Sequence, residues 1–590
     1  MSRDWTERFR APRWSLPQTA RLRPQRCVVG GDPTGTWEVY CWSPATDPGH
    51  AGVPIQATDR ANGTIRAAIT PDGEYVWWFA DTDGDEFGRW RRQPWGSGAG
   101  NDEAATPTIP AAYPAGLVFA DDGTVALGCS AEDGSTLWRA EPGTAPRVLY
   151  RHAQDAGVQA ISRDGRYIAI NHSERGDNRH PALRILSRDG ESVADLDDGP
   201  GKGLRAVGFL GEGADLLVGH ERCGRAELLI WSPLDAAVRE LRLPIPGELS
   251  AVPAADGAWL LVTSEQRGRS TLHRVALPEL SASEVSVEPG VVEGIEIRPD
   301  NQVWYAWSSA AAPPSIRDLS GAPVLPRAGP PAPSSVAVTD VVAAGPGGQV
   351  HGFLRLPPQR AGPHAAVFVV HGGPTWNDSD SWHVRAAAWV DAGYAVVMVN
   401  YRGSTGYGST WRDAIEHSPG FVELADVAAV RATLIADGVI DEARCLLSGG
   451  SWGGFLTLLG LGTQPEMWAA GSAAVPVADY VAAYEDEMEG LKAFDRSLFG
   501  GAPAEVPDAY AKASPLTYVA AIRAPVLILA GANDPRCPIR QIENYLTALR
   551  GLGKNHQVYR FDAGHGSVVT EERIRQMAAE LDFAQRHVPA

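Results

Sequence analysis

The chain has 590 residues, 44% of them apolar and 21% charged, with a formal net charge of −19. That length calls for two or more domains, and that charge argues against nucleic acid or an anionic membrane surface as a general partner. The six cysteines are scattered with no C-x-x-C pair, which argues against a metal knuckle or disulfide framework and fits a reducing cytoplasm.

The N-terminal stretch "MSRDWTERFRAPRW" is charged and lacks the apolar segment of a secretory signal. No run of about 18 apolar residues predicts a transmembrane helix. The first 310 residues or so alternate short apolar, aromatic and β-branched runs with Asp-Gly and Gly-rich turns. A repeat of turn, strand, loop and strand surrounds Asp72, Asp122, Asp164, Gly211, Asp256 and Asp300, at spacings of roughly 42 to 50 residues. That period suits a four-stranded propeller blade, and the Asp-Gly pairs suit tight hairpins. Residues 23–44 read as one further, degenerate copy, for about seven blades. The competing reading is an array of β-sandwiches, but each repeat is short for a core of its own.

Residues 310–335 are dense in proline, which interrupts both helix and strand, and read as an interdomain connection. Beyond them the pattern becomes strand, helix, strand. "AAVFVVHGGP" and "YAVVMVNYRGSTGYG" read as buried strands ending in turns. Residues 421–441 read as an amphipathic helix with Val427, Val430 and Leu434 on one face. "ARCLLSGGSWGGF", "APVLILAGANDPRCP" and "HQVYRFDAGHG" continue the rhythm. This predicts a mostly parallel sheet covered by helices, with reactive residues in loops at the carboxyl ends of strands. The expected fold is an N-terminal β-propeller over residues 1–330, with the connection at 310–335, and a C-terminal α/β-hydrolase domain over 336–590.

Gly449-Gly450-Ser451-Trp452-Gly453 fits G-x-S-x-G, a sharp strand-to-helix turn that exposes a serine. A serine nucleophile needs a base, and the base needs a carboxylate to fix its tautomer. In α/β-hydrolases the chain order is serine, acid, histidine. Asp534 follows the strand "VLILAG" and His565 follows "QVYRF". Asp562 is a rival acid, but it lies too close in sequence to His565 to pair with it. The oxyanion needs two donors: the backbone N–H of Trp452, and an N–H from the "HGGP" turn at 371–374.

The last 250 residues resemble the prolyl oligopeptidase family of serine peptidases, especially its acylaminoacyl-peptidase and dipeptidyl-peptidase-like branch. The resemblance rests on "HGGP", "NYRGSTGYG", "GGSWGG", "GANDPRCP" and "DAGHG" in that order, and the family's N-terminal propeller extends it by architecture. It implies Ser451 as nucleophile, Asp534 as orienting acid, His565 as base and Gly373 as second oxyanion donor. In some branches a tyrosine side chain donates from the first position of the glycine motif. Here that position is His371, which leaves a backbone donor.

The resemblance further implies that residues 473–495 line the pocket for the residue whose carbonyl is attacked, with Val475, Tyr480 and Tyr484 as its wall. One of Glu485, Asp486, Glu487 and Glu489, with Glu485 and Glu487 as the chosen candidates, could bind the protonated amine of a free N-terminus, unless this stretch is a solvated acidic helix face. The propeller is implied to restrict entry to short peptides or small amides. The expected function is a serine peptidase acting from the N-terminal side of its substrates, of aminopeptidase or acylaminoacyl-peptidase type. A small-molecule esterase or amidase with the same triad is the alternative, and an interaction protein with an inert hydrolase half is a third reading. The chemistry needs no metal and no cofactor, and a homo-oligomer stays open.

Overall fold

The computed structural model describes residues 4–44, 52–175, 177–358 and 360–590. The first three residues of the charged N-terminal stretch, and Gly176 within the fourth repeat, lie outside them.

The N-terminal half is a seven-bladed β-propeller. Its blades span 18–56, 67–104, 113–152, 156–196, 205–241, 248–285 and 291–318, the last with three strands and the others with four. The recurrent aspartate has a local purpose. Asp72, Asp122, Asp164, Asp256 and Asp300 each accept the N–H two residues ahead, the side-chain turn that aspartate favours. In the first four the next residue is a glycine at positive φ, where a side chain would be strained. Each blade is built from consecutive strands. The ring closes by packing instead: Cys27, Val29, Tyr40 and Trp42 of the first blade share a core with Trp304 and Ile316 of the seventh.

The C-terminal half holds one eight-stranded sheet. Its strands are β1 (Thr339–Gly345), β2 (Gly348–Arg355), β3 (His364–Val370), β4 (Ala395–Asn400), β5 (Ile440–Gly450), β6 (Ala470–Ala474), β7 (Val526–Gly531) and β8 (His556–Phe561). They lie in the order β1-β2-β4-β3-β5-β6-β7-β8. The pairs β1/β2 and β2/β4 are antiparallel and the rest are parallel. Continuous apolar runs suit strands buried on both faces: β4 and β7 are buried at every position. One face packs on the helices Phe421–Ala436 and Trp452–Thr463, the other on Val384–Asp391 and Thr570–His587. Val427, Val430 and Leu434 are buried as their spacing predicts.

The boundary is more interwoven than a single cut in sequence. Residues 315–318 make the last propeller strand from within the proline-rich segment. The helix Thr6–Arg10 packs on the hydrolase half, with Phe9 in the core beside Met577 and Trp389 and Arg8 bound to Asp391 at 2.6 Å. No helix among the described residues is long and apolar enough to cross a membrane.

Candidate active site

The loops after β3, β5, β7 and β8 converge at the carboxyl ends of the parallel strands. Ser451 sits between β5 and the helix Trp452–Thr463 with φ 56° and ψ −120°. A non-glycine residue held there stores on the order of 1–3 kcal/mol, which the surrounding structure must maintain. The neighbouring glycines show how. A Cβ on Gly453 would fall 2.1 Å from the Val370 carbonyl oxygen, and one on Gly449 2.5 Å from the Gly453 backbone. A Cβ on Gly454 would meet the Ala474 carbonyl at 2.8 Å, whereas one on Gly450 would have its nearest neighbour at 3.8 Å. Three of the four glycines are therefore required by close approach.

Asp534 is buried in the loop after β7. Its Oδ1 accepts the N–H groups of Arg536 at 2.8 Å and Cys537 at 2.9 Å. This leaves Oδ2 for His565 Nδ1, at 2.8 Å. Asp562 is turned elsewhere and accepts from the Asn533 amide at 3.2 Å. Ser451 and His565 line one cavity of about 1130 Å³ between the sheet and the propeller.

The turn after β3 crosses the serine. A Cβ on Gly372 would lie 3.5 Å from Ser451 Cβ and 3.9 Å from the Trp452 nitrogen. Gly373 follows with φ 123°, a conformation that favours glycine. His371 anchors this turn. Its ring stacks on Tyr401 with centroids 4.2 Å apart, and the Tyr401 hydroxyl donates to the His371 carbonyl at 2.7 Å. Its Nδ1 reaches the Gly372 carbonyl and its Nε2 the Ser404 hydroxyl, each at 2.8 Å. Burial pushes the imidazole down to about 4, so His371 stays neutral and is spent on positioning.

The expected pocket residues divide. Val475 lines the cavity. Tyr480 does not: it is buried in an aromatic cluster with Phe455, Phe499 and Tyr510. Tyr484 turns its hydroxyl to Arg496 at 3.0 Å. Glu485 is exposed and paired with Arg540 at 2.7 Å. Glu487 is buried away from the cavity, where burial and Asp495 hold its carboxyl well above the usual range. The stretch forms a helix, Tyr480–Asp486, whose apolar side is taken by the core and whose acidic side meets Arg540. Residues that sequence reasoning missed take their place on the cavity wall. Trp376, five residues past His371, is 67% exposed there, and Glu248, Glu265 and Glu293 come from the propeller. The only sequence signal of Glu248 and Glu265 is polarity near strand ends.

Among the described residues, two side-chain groups bring metal-type donors within 4.8 Å of one another, Asp534–Cys537–His565 and His180–Asp413–Glu416. In the first, burial and then Asp534 hold the Cys537 thiol well above its ordinary range, so it keeps its proton and is a poor ligand. In the second, Asp413 and Glu416 are bound by Arg179. Neither is a built metal site.

Fold and site together define a propeller-capped α/β-hydrolase. The C-terminal half is more specifically assigned: residues 380–589 match the family model "Prolyl oligopeptidase family", and the chain carries a domain of that family. A Bacillus subtilis (strain 168) protein described as an uncharacterized peptidase, YuxL, is 30% identical over 240 residues, 40% of this chain and 36% of the relative. The acylamino-acid-releasing enzyme of Mus musculus is 33% identical over 192 residues, 31% of this chain and 26% of the relative. The matches thus span about a third of the length of these curated relatives. Across the whole chain the likeness is one of fold. A structure from a study of two prolyl endopeptidases superposes with a TM-score of 0.84 at 17% identity, covering 99% of this chain and 90% of the other. A Mycobacterium tuberculosis puromycin-hydrolyzing peptidase gives 0.78 at 23% identity, covering 99% and 95%.

Proposed function

We propose that the chain is a serine peptidase that hydrolyses short peptides or aminoacyl amides from their N-terminal side through an acyl-enzyme. Ser451 Oγ attacks the scissile carbonyl while His565 Nε2 takes its proton. Asp534, already bound to Nδ1, holds the tautomer and stabilises the imidazolium. The N–H groups of Trp452 and Gly373 stabilise the oxyanion. His565 returns the proton to the leaving amine, water enters, and the same base activates it to release the acid.

The observation that carries this reading is the 2.8 Å contact of His565 Nδ1 with Asp534 Oδ2, on the wall of a cavity shared with the strained Ser451. The propeller closes the other side of that cavity, which favours small substrates. The prolyl oligopeptidase family match and the peptidases among the relatives support amide rather than ester chemistry. Rates on an aminoacyl-arylamide and on the matching aryl ester test the reading. Turnover of the amide that is lost in Ser451→Ala supports it, and turnover of the ester alone would favour an esterase.

A further inference from the structure

A second cavity, of about 660 Å³, lies where the N-terminal segment 8–14 and the proline-rich connection cross the seam between the two halves. Its charge is opposite to that of the first. Its wall carries Arg8, Arg13, Arg317 and Arg327 against one carboxylate, Glu288. The Ser451 cavity carries Glu248, Glu265, Glu293 and Asp378 against two arginines, Arg205 and Arg385. A cationic cavity stands out on a chain of net charge −19.

The arginines differ in what they have left to offer. Arg8 is bound to Asp391 and lies 5.6 Å from the centre of the Trp382 ring. Arg13 reaches Asp32 at 3.3 Å. Arg317 lies flat against Trp307, 3.9 Å from its ring centre, and meets Glu288 at 3.0 Å. The Glu288 side chain is 64% exposed, so solvent weakens that pair. Arg327 is exposed and, among the described residues, makes no hydrogen bond or ion pair. The rest of the wall is apolar: the rings of Trp14, Trp307 and Trp382, with prolines between them. Proline has no N–H to give, so the arginines supply the donors.

This is the make-up of a small-molecule site, mostly apolar with a few polar groups, at a domain seam and within the usual range of roughly 300–1,000 Å³. A planar apolar body suits the tryptophans and prolines, and an anionic end suits Arg327 and Arg317. Inorganic phosphate would leave the rings wet, and a neutral aromatic would leave the guanidinium groups unmatched. We propose that this cavity binds a small aromatic carboxylate, at a site separate from the one that holds Ser451. The two are close neighbours: Ser381 and His383 line the Ser451 cavity, and Trp382 between them lines this one. The assignment does not depend on the role of Ser451.

The test is isothermal titration calorimetry of the full chain with 2-naphthoate. 2-Naphthamide lacks the charge and acetate lacks the apolar body, so they serve as comparison probes. The wild type is expected to bind 2-naphthoate at a single saturable site with Kd below about 1 mM, and each comparison probe at least about 10-fold more weakly. Arg327→Glu, which breaks no contact of the fold, should weaken 2-naphthoate on the order of 10-fold. Ala328→Phe, which fills the cavity from its wall, should abolish binding. Arg205→Glu, in the other cavity, should leave it unchanged. Thermal melts check that each variant is folded. No saturable binding to the wild type, equal binding of 2-naphthamide, or unchanged binding in folded Arg327→Glu would overturn the assignment. Loss in Arg205→Glu would overturn it too, by placing the ligand in the Ser451 cavity.

Discussion

Glu86, in a turn of the second propeller blade, grips Arg536 with two hydrogen bonds, at 2.6 Å to Nε and 2.9 Å to Nη2. Arg536 in turn gives its backbone N–H to Asp534. Two residues earlier in the same turn, Gly84 touches the loop of His565: a Cβ on Gly564 would fall 1.9 Å from the Gly84 carbonyl oxygen. The loops carrying Asp534 and His565 thus rest on one propeller turn.

Glu86 is accordingly expected to position the acid from the other half of the chain. Glu86→Gln should lower kcat about 10-fold with a smaller effect on KM, since a bond between charged groups contributes on the order of 1.5–3 kcal/mol. The exchange Glu86→Arg with Arg536→Glu should recover part of the loss. Steady-state kinetics of the three proteins decide it, and an unchanged kcat in Glu86→Gln would separate the turn from catalysis.

The glycines around Ser451 should differ in tolerance. Gly453→Ala forces a methyl to within 2.1 Å of a carbonyl, while Gly450→Ala has 3.8 Å of room. Overpacking of that kind costs about 1–3 kcal/mol or more. A thermal melt should show a clear drop for Gly453→Ala and little change for Gly450→Ala. Equal melting points would mean that the turn is looser than its geometry.

The two halves also meet at a charged cluster. His180 of the propeller lies 2.7 Å from Asp177 and 3.5 Å from Asp413 of the hydrolase, with Arg179 and Arg412 alongside. Burial opposes its charge, but the two aspartates prevail and raise it from 6.5 to about 9. A raised group stabilises fully below its unfolded value, so this contribution is complete below about pH 6.5 and is lost as pH rises through about 9. Asp177 is lowered from 3.8 to about 2 despite burial, because His180 and Ser497 bind it, so its share is lost only as pH falls through that lower range. Melting temperature should therefore fall between pH 6.5 and 9.5 more steeply in the wild type than in His180→Gln. Parallel curves would show that His180 does not link pH to docking.

The fold was legible because its signals are local and repeated. Asp-Gly hairpins at blade spacing, and apolar strands followed by glycine turns, each dictate their own geometry. The order of Ser451, Asp534 and His565 could be read because each follows a strand in a sheet whose direction is fixed. The wall facing them could not. Whether Tyr480 points to substrate or to Phe455 depends on helix packing, which periodicity does not orient for a seven-residue helix. Glu248 and Glu265 look like ordinary polar strand ends until the register sets them opposite each other, across from another half of the chain.

The central claim, that Ser451 is an activated nucleophile, is tested most directly by a fluorophosphonate probe followed by peptide mass analysis. The wild type should be modified at Ser451, with labelling abolished in Ser451→Ala and greatly slowed in His565→Gln. Failure to label the folded wild type, or modification that persists in Ser451→Ala, would contradict the account.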